Sequence, residues 1–214
     1  MLTLFFLACT DGGVQPYAGL KVSDYFGLDG ERLGIYNNDD TTITWQLNIE
    51  KKNQTALVDG RELVTFEYSR SDTFEILGSA QYSVVPGEEV LVHAYSMGAT
   101  GELLAFDPPV LLTESDDAMS NGDAVVTETK DSGGTSWTFT STLVEQVPEC
   151  PTTFSSDFEK CAHFTIDDGD GDDAVGPLFG GDYTLVNAWG PAYMQPPGWE
   201  QPWELTRYEY EYVE

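Results

Sequence analysis

Acidic residues between positions 167 and 173 form the pattern with the clearest metal chemistry, in the order Asp-Asp-Gly-Asp-Gly-Asp-Asp. The carboxylates of Asp168, Asp170 and Asp172 alternate along the chain, and the glycines between them let the backbone curl around one cation. Hard oxygen ligands at this spacing suit Ca²⁺. The closing bidentate glutamate of such a loop would fall at Phe179, so we expect calcium binding to be weak. The alternative is a solvated acidic turn without a bound ion.

A second pattern places a serine just before a glycine turn. The string Ala94-Tyr95-Ser96-Met97-Gly98 follows an apolar strand and resembles the nucleophile elbow of some lipases. A helix follows the serine in such an elbow, whereas residues 99–104 indicate a turn and then a strand. The only histidine after Ser96 is His163. We expect no enzymatic activity and assign no catalytic residue, and we keep a secreted serine hydrolase using Ser96 as an alternative.

The amino-terminal residues have the composition of an export signal. Residues 2–8 read Leu-Thr-Leu-Phe-Phe-Leu-Ala, a run too short to span a bilayer, and Cys9 follows directly. This short apolar run, small residue and cysteine resemble the lipobox of bacterial lipoproteins. The resemblance implies cleavage before Cys9, a lipid on its thiol and a flexible tether over residues 9–24. Thr10 after the cysteine resembles an outer-membrane sorting address.

The chain has three cysteines, Cys9, Cys150 and Cys161. A lipid on Cys9 and a disulfide bond between Cys150 and Cys161 would account for all three, and an odd count in an exported protein needs such an account. A bridge over this short loop is worth about 2–3 kcal/mol in the chain-entropy model. The alternatives are a metal site with His163 nearby and a pair of buried free thiols.

Charge and composition restrict the classes of partner. The 214 residues include 37 acidic and 9 basic side chains, for a formal net charge of −28, while 41% are apolar and 13% aromatic. These apolar and aromatic residues suffice for the core of one domain. The negative field repels phosphate groups, so we expect no nucleic-acid partner and no docking on anionic lipid by charge. We expect a monomer.

Apolar and polar residues alternate with a period of two along most of the chain, which indicates antiparallel strands with one exposed face. The pattern predicts strands at 41–50, 62–68, 89–97, 102–106, 124–129, 135–147, 162–166, 183–189 and 203–213. A change of side-chain parity in the last segment indicates a β-bulge near Arg207. We therefore expect residues 25–214 to form one all-β antiparallel domain, either an open curved sheet or half-barrel, or a β-sandwich.

Large aromatic residues stand among prolines near the carboxyl end, at Trp189, Tyr193, Trp199 and Trp203. If they are exposed, such rings can stack on sugars or bind a partner. If they are buried, they close one end of the sheet. We favour the buried arrangement, because a contiguous exposed patch of this size is uncommon on soluble proteins.

Several segments resemble an uncharacterised type of bacterial lipoprotein. They are the opening from Asp24 to Tyr36, the proline-leading segment 108–112, the cysteine loop within 148–165 and the closing segment 181–205. Together they cover about residues 24–213. The resemblance implies an antiparallel β architecture and a place in the bacterial cell envelope, at the outer membrane or its periplasmic face. Lipoprotein-carrier folds, which hold an apolar ligand in a curved sheet, are an analogy at the level of fold only.

The sequence thus predicts a signal segment at 1–8, a lipidated cysteine and tether at 9–24, and a β domain at 25–214. We expect an exported, lipid-anchored, acidic protein with a binding or structural role and no resident cofactor except possible Ca²⁺. The membrane, reached through the lipid on Cys9, is the one partner that the sequence indicates. The alternative function is a carrier or sensor of a small apolar ligand.

Overall fold

The described residues form twelve β-strands connected in sequence order. The structure is a computed structural model that describes residues 25–26, 31–58, 61–84, 89–99, 101–113, 122–147, 161–167, 180–186, 189–196 and 201–211. The strands are β1 (Glu31–Asn38), β2 (Leu47–Val58), β3 (Arg61–Arg70), β4 (Ile76–Val84), β5 (Val90–Met97), β6 (Leu104–Thr113), β7 (Ala124–Asp131), β8 (Ser136–Val147), β9 (Cys161–Asp167), β10 (Gly181–Val186), β11 (Gly190–Gln195) and β12 (Trp203–Glu211).

The strands form one closed antiparallel barrel. Each strand pairs with the next along the chain, and β1 pairs with β12 from Glu31–Glu211 to Asn38–Trp203. The predicted all-β antiparallel class is confirmed. The open sheet, half-barrel and sandwich were wrong in detail, because the first and last strands hydrogen-bond to each other and leave no free edge. That closure joins residues far apart in sequence, and no local pattern reveals it.

Side chains alternate between the inside and the outside of the barrel. Along β7 the even-numbered residues from 124 to 130 are exposed, and the odd-numbered residues from 125 to 131 are buried. The interior is filled mainly by large aromatic rings: Tyr25, Phe26, Tyr36, Phe66, Tyr68, Tyr82, Tyr95, Phe106, Trp137, Phe139, Phe164, Tyr183, Trp189 and Trp203. Burial of this apolar area supplies the main driving force for folding.

The two ends of the barrel differ in what they carry. We call the end with the β1–β2, β3–β4, β5–β6 and β7–β8 connections the tip end. Residues 25–26 lead into the start of β1 at the opposite end, which we call the base end. Both Tyr25 and Phe26 are buried, and the Phe26 ring meets the Phe164 ring edge to face with centroids 5.4 Å apart. The chain therefore fills part of its own barrel from the segment before the first strand.

Two prolines lie inside β6, at Pro108 and Pro109. Because proline has no N–H to donate to a ladder, this stretch of β6 needs other bonds to β7. Threonine hydroxyls supply them: Leu111 N donates to Thr127 Oγ1 at 3.1 Å, and Thr129 Oγ1 donates to the Pro108 carbonyl. The prolines are thus accommodated without opening the barrel wall.

Candidate functional site

The centre of the barrel contains a small apolar cavity of about 30 Å³. Its lining comes from opposite walls, since β3 and β9 are six strands apart in a ring of twelve. The lining residues are Phe26, Phe66, Tyr68, Tyr82, Leu112, Phe164, Ile166, Tyr183, Leu185 and Pro191. Ligand pockets usually enclose about 300–1,000 Å³. The cavity is therefore roughly a tenth of the size that a drug-sized or fatty-acid ligand needs.

Three tyrosine hydroxyls give this apolar cavity its polar groups. The hydroxyls of Tyr68 and Tyr82 are hydrogen-bonded to each other, and Tyr183 donates to the Gly180 carbonyl at 2.9 Å. Burial raises the pKa of all three phenols, and the neighbouring tyrosines add to the effect on Tyr68 and Tyr183. The phenols therefore stay neutral in the folded protein and act as fixed hydrogen-bonding groups.

A buried carboxylate lies in the interior near the tip end, at Asp131. Its Oδ2 accepts hydrogen bonds from the Tyr95 hydroxyl and the Trp137 indole N–H, and its Oδ1 accepts one from the Thr135 amide N–H. Burial alone would raise the pKa of Asp131, but these donors outweigh burial and the pKa is lowered. The carboxylate is thus ionised and held by neutral donors, which makes it a structural tie.

Ser96 and His163 do not come together. Ser96 is on β5 and His163 on β9, with three strands between them in the barrel wall. The Ser96 hydroxyl instead lies 2.9 Å from the hydroxyl of Ser79, its cross-strand partner. His163 Nε2 lies 3.9 Å from a carboxylate oxygen of Asp182 on β10. A strand follows the β5–β6 turn where an elbow requires a helix, so the described residues do not form the predicted alternative.

A different serine and histidine meet, and sequence reasoning missed them. Ser83 Oγ lies 2.7 Å from His93 Nε2. His93 is the extra residue of a β-bulge, because Gln81 pairs with Ala94 while Tyr82 pairs with Val92. Such a contact can activate a nucleophile, but Ser83 is completely buried, so no substrate reaches its oxygen. Nothing in the sequence signals the bulge that creates this pair.

Two basic side chains also enter the barrel, although hydrophobic patterning does not predict them. Lys51 is only 2% exposed and follows Leu47 and Ile49 on the inner face of β2. Arg32 is its cross-strand neighbour on β1, and the Arg32 guanidinium lies 5.4 Å from the centre of the Trp189 ring. Burial of a charged side chain is costly unless it is paired, and both side chains interact with other groups in the structure.

Most of the predicted site residues lie outside the described part of the chain. These are Cys9, Cys150, Asp168, Asp170 and Asp172. Among the residues that are described, no group of three or more His, Cys, Asp or Glu side chains is placed to hold a metal ion. The calcium prediction is therefore neither supported nor contradicted by the geometry.

Of the two cysteines in the predicted disulfide bond, Cys161 lies within the described residues. It is completely buried at the start of β9, between Val147 of β8 and Val186 of β10.

The aromatic residues near the carboxyl end are buried where they are described. Trp189 and Trp203 are 4% and 1% exposed, and Tyr193 is partly buried on β11. Trp203 contacts Trp45 with centroids 5.0 Å apart, and Trp189 contacts Tyr208 at 4.8 Å. The preferred buried arrangement is confirmed for Trp189 and Trp203, whereas Tyr193 is only partly buried and Trp199 lies outside the described ranges.

Comparisons with known proteins identify no relative. No protein-family model matches the chain, and no curated protein or solved structure is significantly similar to it. In the part of the chain that the structure describes, no helix is long and apolar enough to cross a membrane.

Proposed function

We propose that this protein is an exported, lipid-anchored, non-catalytic β-barrel protein of the bacterial cell envelope that acts by binding, or as a structural component, through its outer surface. The observation that carries the proposal is the filled interior. Aromatic rings from opposite walls meet inside the barrel and leave a cavity of about 30 Å³. This cavity is too small for a substrate or ligand of ordinary size, which favours recognition by the outer surface.

Attachment to the membrane rests on the lipobox-like sequence that ends at Cys9.

Mass spectrometry tests the anchor. The full chain is produced in a bacterial host, and the intact mass of the membrane-bound protein is compared with that of a Cys9→Ser variant. We expect removal of residues 1–8 and a diacylglyceryl group on Cys9 in the parent protein, and a soluble, unlipidated chain in the variant. An intact Met1 with a free Cys9 thiol would refute the anchor.

We further propose that Cys150 and Cys161 form a disulfide bond. Cys161 is completely buried at the start of β9, which suits a bridged sulfur. With Cys9 assigned to the lipid, Cys150 is the remaining cysteine. Peptide mapping without reduction should recover the two segments as one linked peptide; separate peptides with alkylated thiols would contradict the pairing.

A second candidate function is the binding of a small apolar molecule, for which the apolar lining of the central cavity is the supporting feature. Its lining is almost entirely apolar, with tyrosine hydroxyls as the polar groups. Binding of anything larger than a few heavy atoms would require displacement of Phe26 or another lining ring. Titration with a fluorescent fatty acid distinguishes the two functions: no displaceable binding at micromolar dye is expected, and saturable binding would favour the carrier.

Weak calcium binding by Asp168, Asp170 and Asp172 stays a prediction. A ligand that binds only the folded state raises the melting temperature. We expect Ca²⁺ to raise it more than matched Mg²⁺ after EDTA treatment. Equal shifts with both ions would indicate screening of the −28 surface and no specific site.

A further inference from the structure

The most exposed large apolar side chain among the described residues is Phe74, in the β3–β4 turn at the tip end. Its side chain is 77% exposed, and its φ is +56°. This left-handed conformation suits glycine or asparagine, whereas a bulky residue there is strained by roughly 1–2 kcal/mol. Phe74 therefore gains neither burial nor a favourable backbone at its position. Strained residues of this kind cluster at ligand and partner sites.

The turn that presents Phe74 is rigidly held. The Phe74 amide N–H donates to the Arg70 carbonyl at 2.9 Å, and the Arg70 guanidinium donates two hydrogen bonds to the Asp72 carboxylate at 3.0 and 2.8 Å. Ser71 and Gln46 exchange two hydrogen bonds of 2.9 Å, which join this turn to the β1–β2 loop. An aromatic ring on such a turn loses little conformational entropy when a partner covers it.

Two more exposed apolar side chains flank the neighbouring turn. Met97 ends β5 and Leu103 precedes β6, and they are 40% and 45% exposed. The Gly98 amide N–H donates to the Leu77 carbonyl at 2.8 Å, so the β5–β6 turn lies directly against the start of β4. We name Phe74, Met97 and Leu103 the tip patch. The name refers to position: one aromatic and two aliphatic side chains are exposed on two turns at the same end of the barrel.

Charge determines what can cover the tip patch. The turns 71–75 and 98–103 contain Asp72, Glu75 and Glu102, which are exposed, and no lysine or arginine. Arg70 pairs with Asp72, so Glu75 and Glu102 carry the net negative charge of the rim. An acidic rim repels a second copy of this −28 chain and the phosphates of anionic lipids. We propose that the tip patch is a docking site for a partner protein that presents apolar side chains flanked by lysine or arginine.

The tip patch lies at the end of the barrel opposite the start of β1. Its exposure, backbone strain and charge do not depend on the proposed lipid anchor.

The experiment uses the full chain carrying Cys9→Ser, so that its outcome does not depend on lipidation. The probes are a synthetic amphipathic leucine–lysine peptide, the same peptide with glutamate for lysine, and phosphatidylcholine and phosphatidylglycerol vesicles. Amide shifts in NMR spectra locate binding, and calorimetry measures affinity. Phe74→Asn removes the ring and suits the positive φ. Val126→Ser, at a 61% exposed position on the outer face of β7, is the matched control.

We expect the lysine peptide to bind and to shift amides within 71–75 and 97–103. Phe74→Asn should weaken this binding by about tenfold or more, as loss of an aromatic anchor does, and Val126→Ser should not. Phe74→Asn should melt at the same temperature as the parent or higher.

Five results would overturn the proposal. They are no binding of the lysine peptide, equal binding of that peptide by both variants, equal binding of both peptides, vesicle binding through the tip patch, and a lower melting temperature for Phe74→Asn. The last would show that the ring belongs to the fold. A missing lipid on Cys9 in the mass measurement would refute the anchor alone.

Discussion

The carboxylate of Asp131 and the indole of Trp137 are joined by a hydrogen bond of 3.0 Å inside the tip end of the barrel. The same oxygen accepts a second bond of 3.0 Å from the Tyr95 hydroxyl. Asp131 ends β7, Tyr95 is on β5 and Trp137 is on β8, so one buried side chain ties three strands. This tie lies beside the stacked rings of Tyr95 and Phe106, whose centroids are 5.3 Å apart.

Loss of this tie should destabilise the barrel. Asp131→Ala leaves the buried donors of Tyr95 and Trp137 without their acceptor, and we expect the free energy of unfolding to fall by about 2–4 kcal/mol. Urea unfolding followed by circular dichroism measures the change. Glu128→Ala removes an exposed carboxylate from the same strand and should stay within about 0.5 kcal/mol of the parent. Equal effects of the two substitutions would contradict a special role for Asp131.

The lowered pKa of Asp131 also predicts a dependence of stability on pH. An aspartate in the unfolded chain has a pKa of about 3.9, and the folded value lies below it. The stabilisation is therefore complete above the unfolded pKa and is lost as pH falls below about 3.9 through the folded pKa. In Asp131→Asn this component should be missing, so the loss of stability between pH 5 and 2 should be shallower, by a fraction of one proton in slope.

Parallel urea titrations of the parent and Asp131→Asn across this pH range measure the difference. The comparison cancels the contributions of the other carboxylates, which the two chains share. Identical slopes would mean that Asp131 has the same proton affinity in the folded and unfolded chains, contrary to the geometry of its three donors.

The local alternation of apolar and polar residues predicted many of the barrel strands but not the closure of the barrel. Strands β3, β5, β7, β8 and β9 lie within a few residues of their predicted positions. The bulge expected near Arg207 is present at the adjacent residue, since Ile35 pairs with Arg207 and Tyr36 with Leu205. The other features depend on pairing between distant segments. Closure by β1 and β12 is the main example, and the Ser83–His93 contact is another.

Three strands were missed for local reasons. In β1 the run Gly34-Ile35-Tyr36 lacks clear alternation, and Gly34 is required there because an added Cβ would lie 2.7 Å from the Tyr36 ring. Small and polar residues dilute the pattern in β4, and Gly190-Pro191 opens β11 with turn residues. The strand predicted at 41–50 starts too early, because β2 begins only at Leu47. Ile43 and Trp45 pack against the core from a loop, which mimics the apolar period of a strand.

Phe26 should contribute to stability although it precedes the first strand. Its ring is buried, contacts Phe164 and lines the central cavity. We expect Phe26→Ala to lower the free energy of unfolding by about 3–5 kcal/mol, because truncation of a buried phenylalanine leaves a larger void. Leu103→Ala, at an exposed position, is the control and should change the free energy of unfolding by less than about 0.5 kcal/mol. A small effect of Phe26→Ala in urea unfolding would show that the segment before β1 does not fill the barrel in solution.

The buried tyrosines predict the behaviour of the barrel in alkali. Burial raises the pKa of Tyr36, Tyr68, Tyr82 and Tyr183 above the usual value. Because the neutral phenol is the form that the folded state favours, the stabilisation is complete below the unfolded pKa of about 10 and is lost as pH rises above it. These phenols should ionise only as the barrel unfolds.

Ultraviolet absorbance of tyrosinate and circular dichroism, recorded together above about pH 10, measure the two events. We expect part of the tyrosinate signal to appear in one cooperative step that coincides with the loss of β structure. Tyr68→Phe removes one of the phenols whose ionisation is delayed. It also removes the hydrogen bond between Tyr68 and Tyr82. The step should then be smaller and shifted to lower pH. A gradual titration that finishes while the β signal is intact would mean that solvent reaches the cavity tyrosines in the folded barrel.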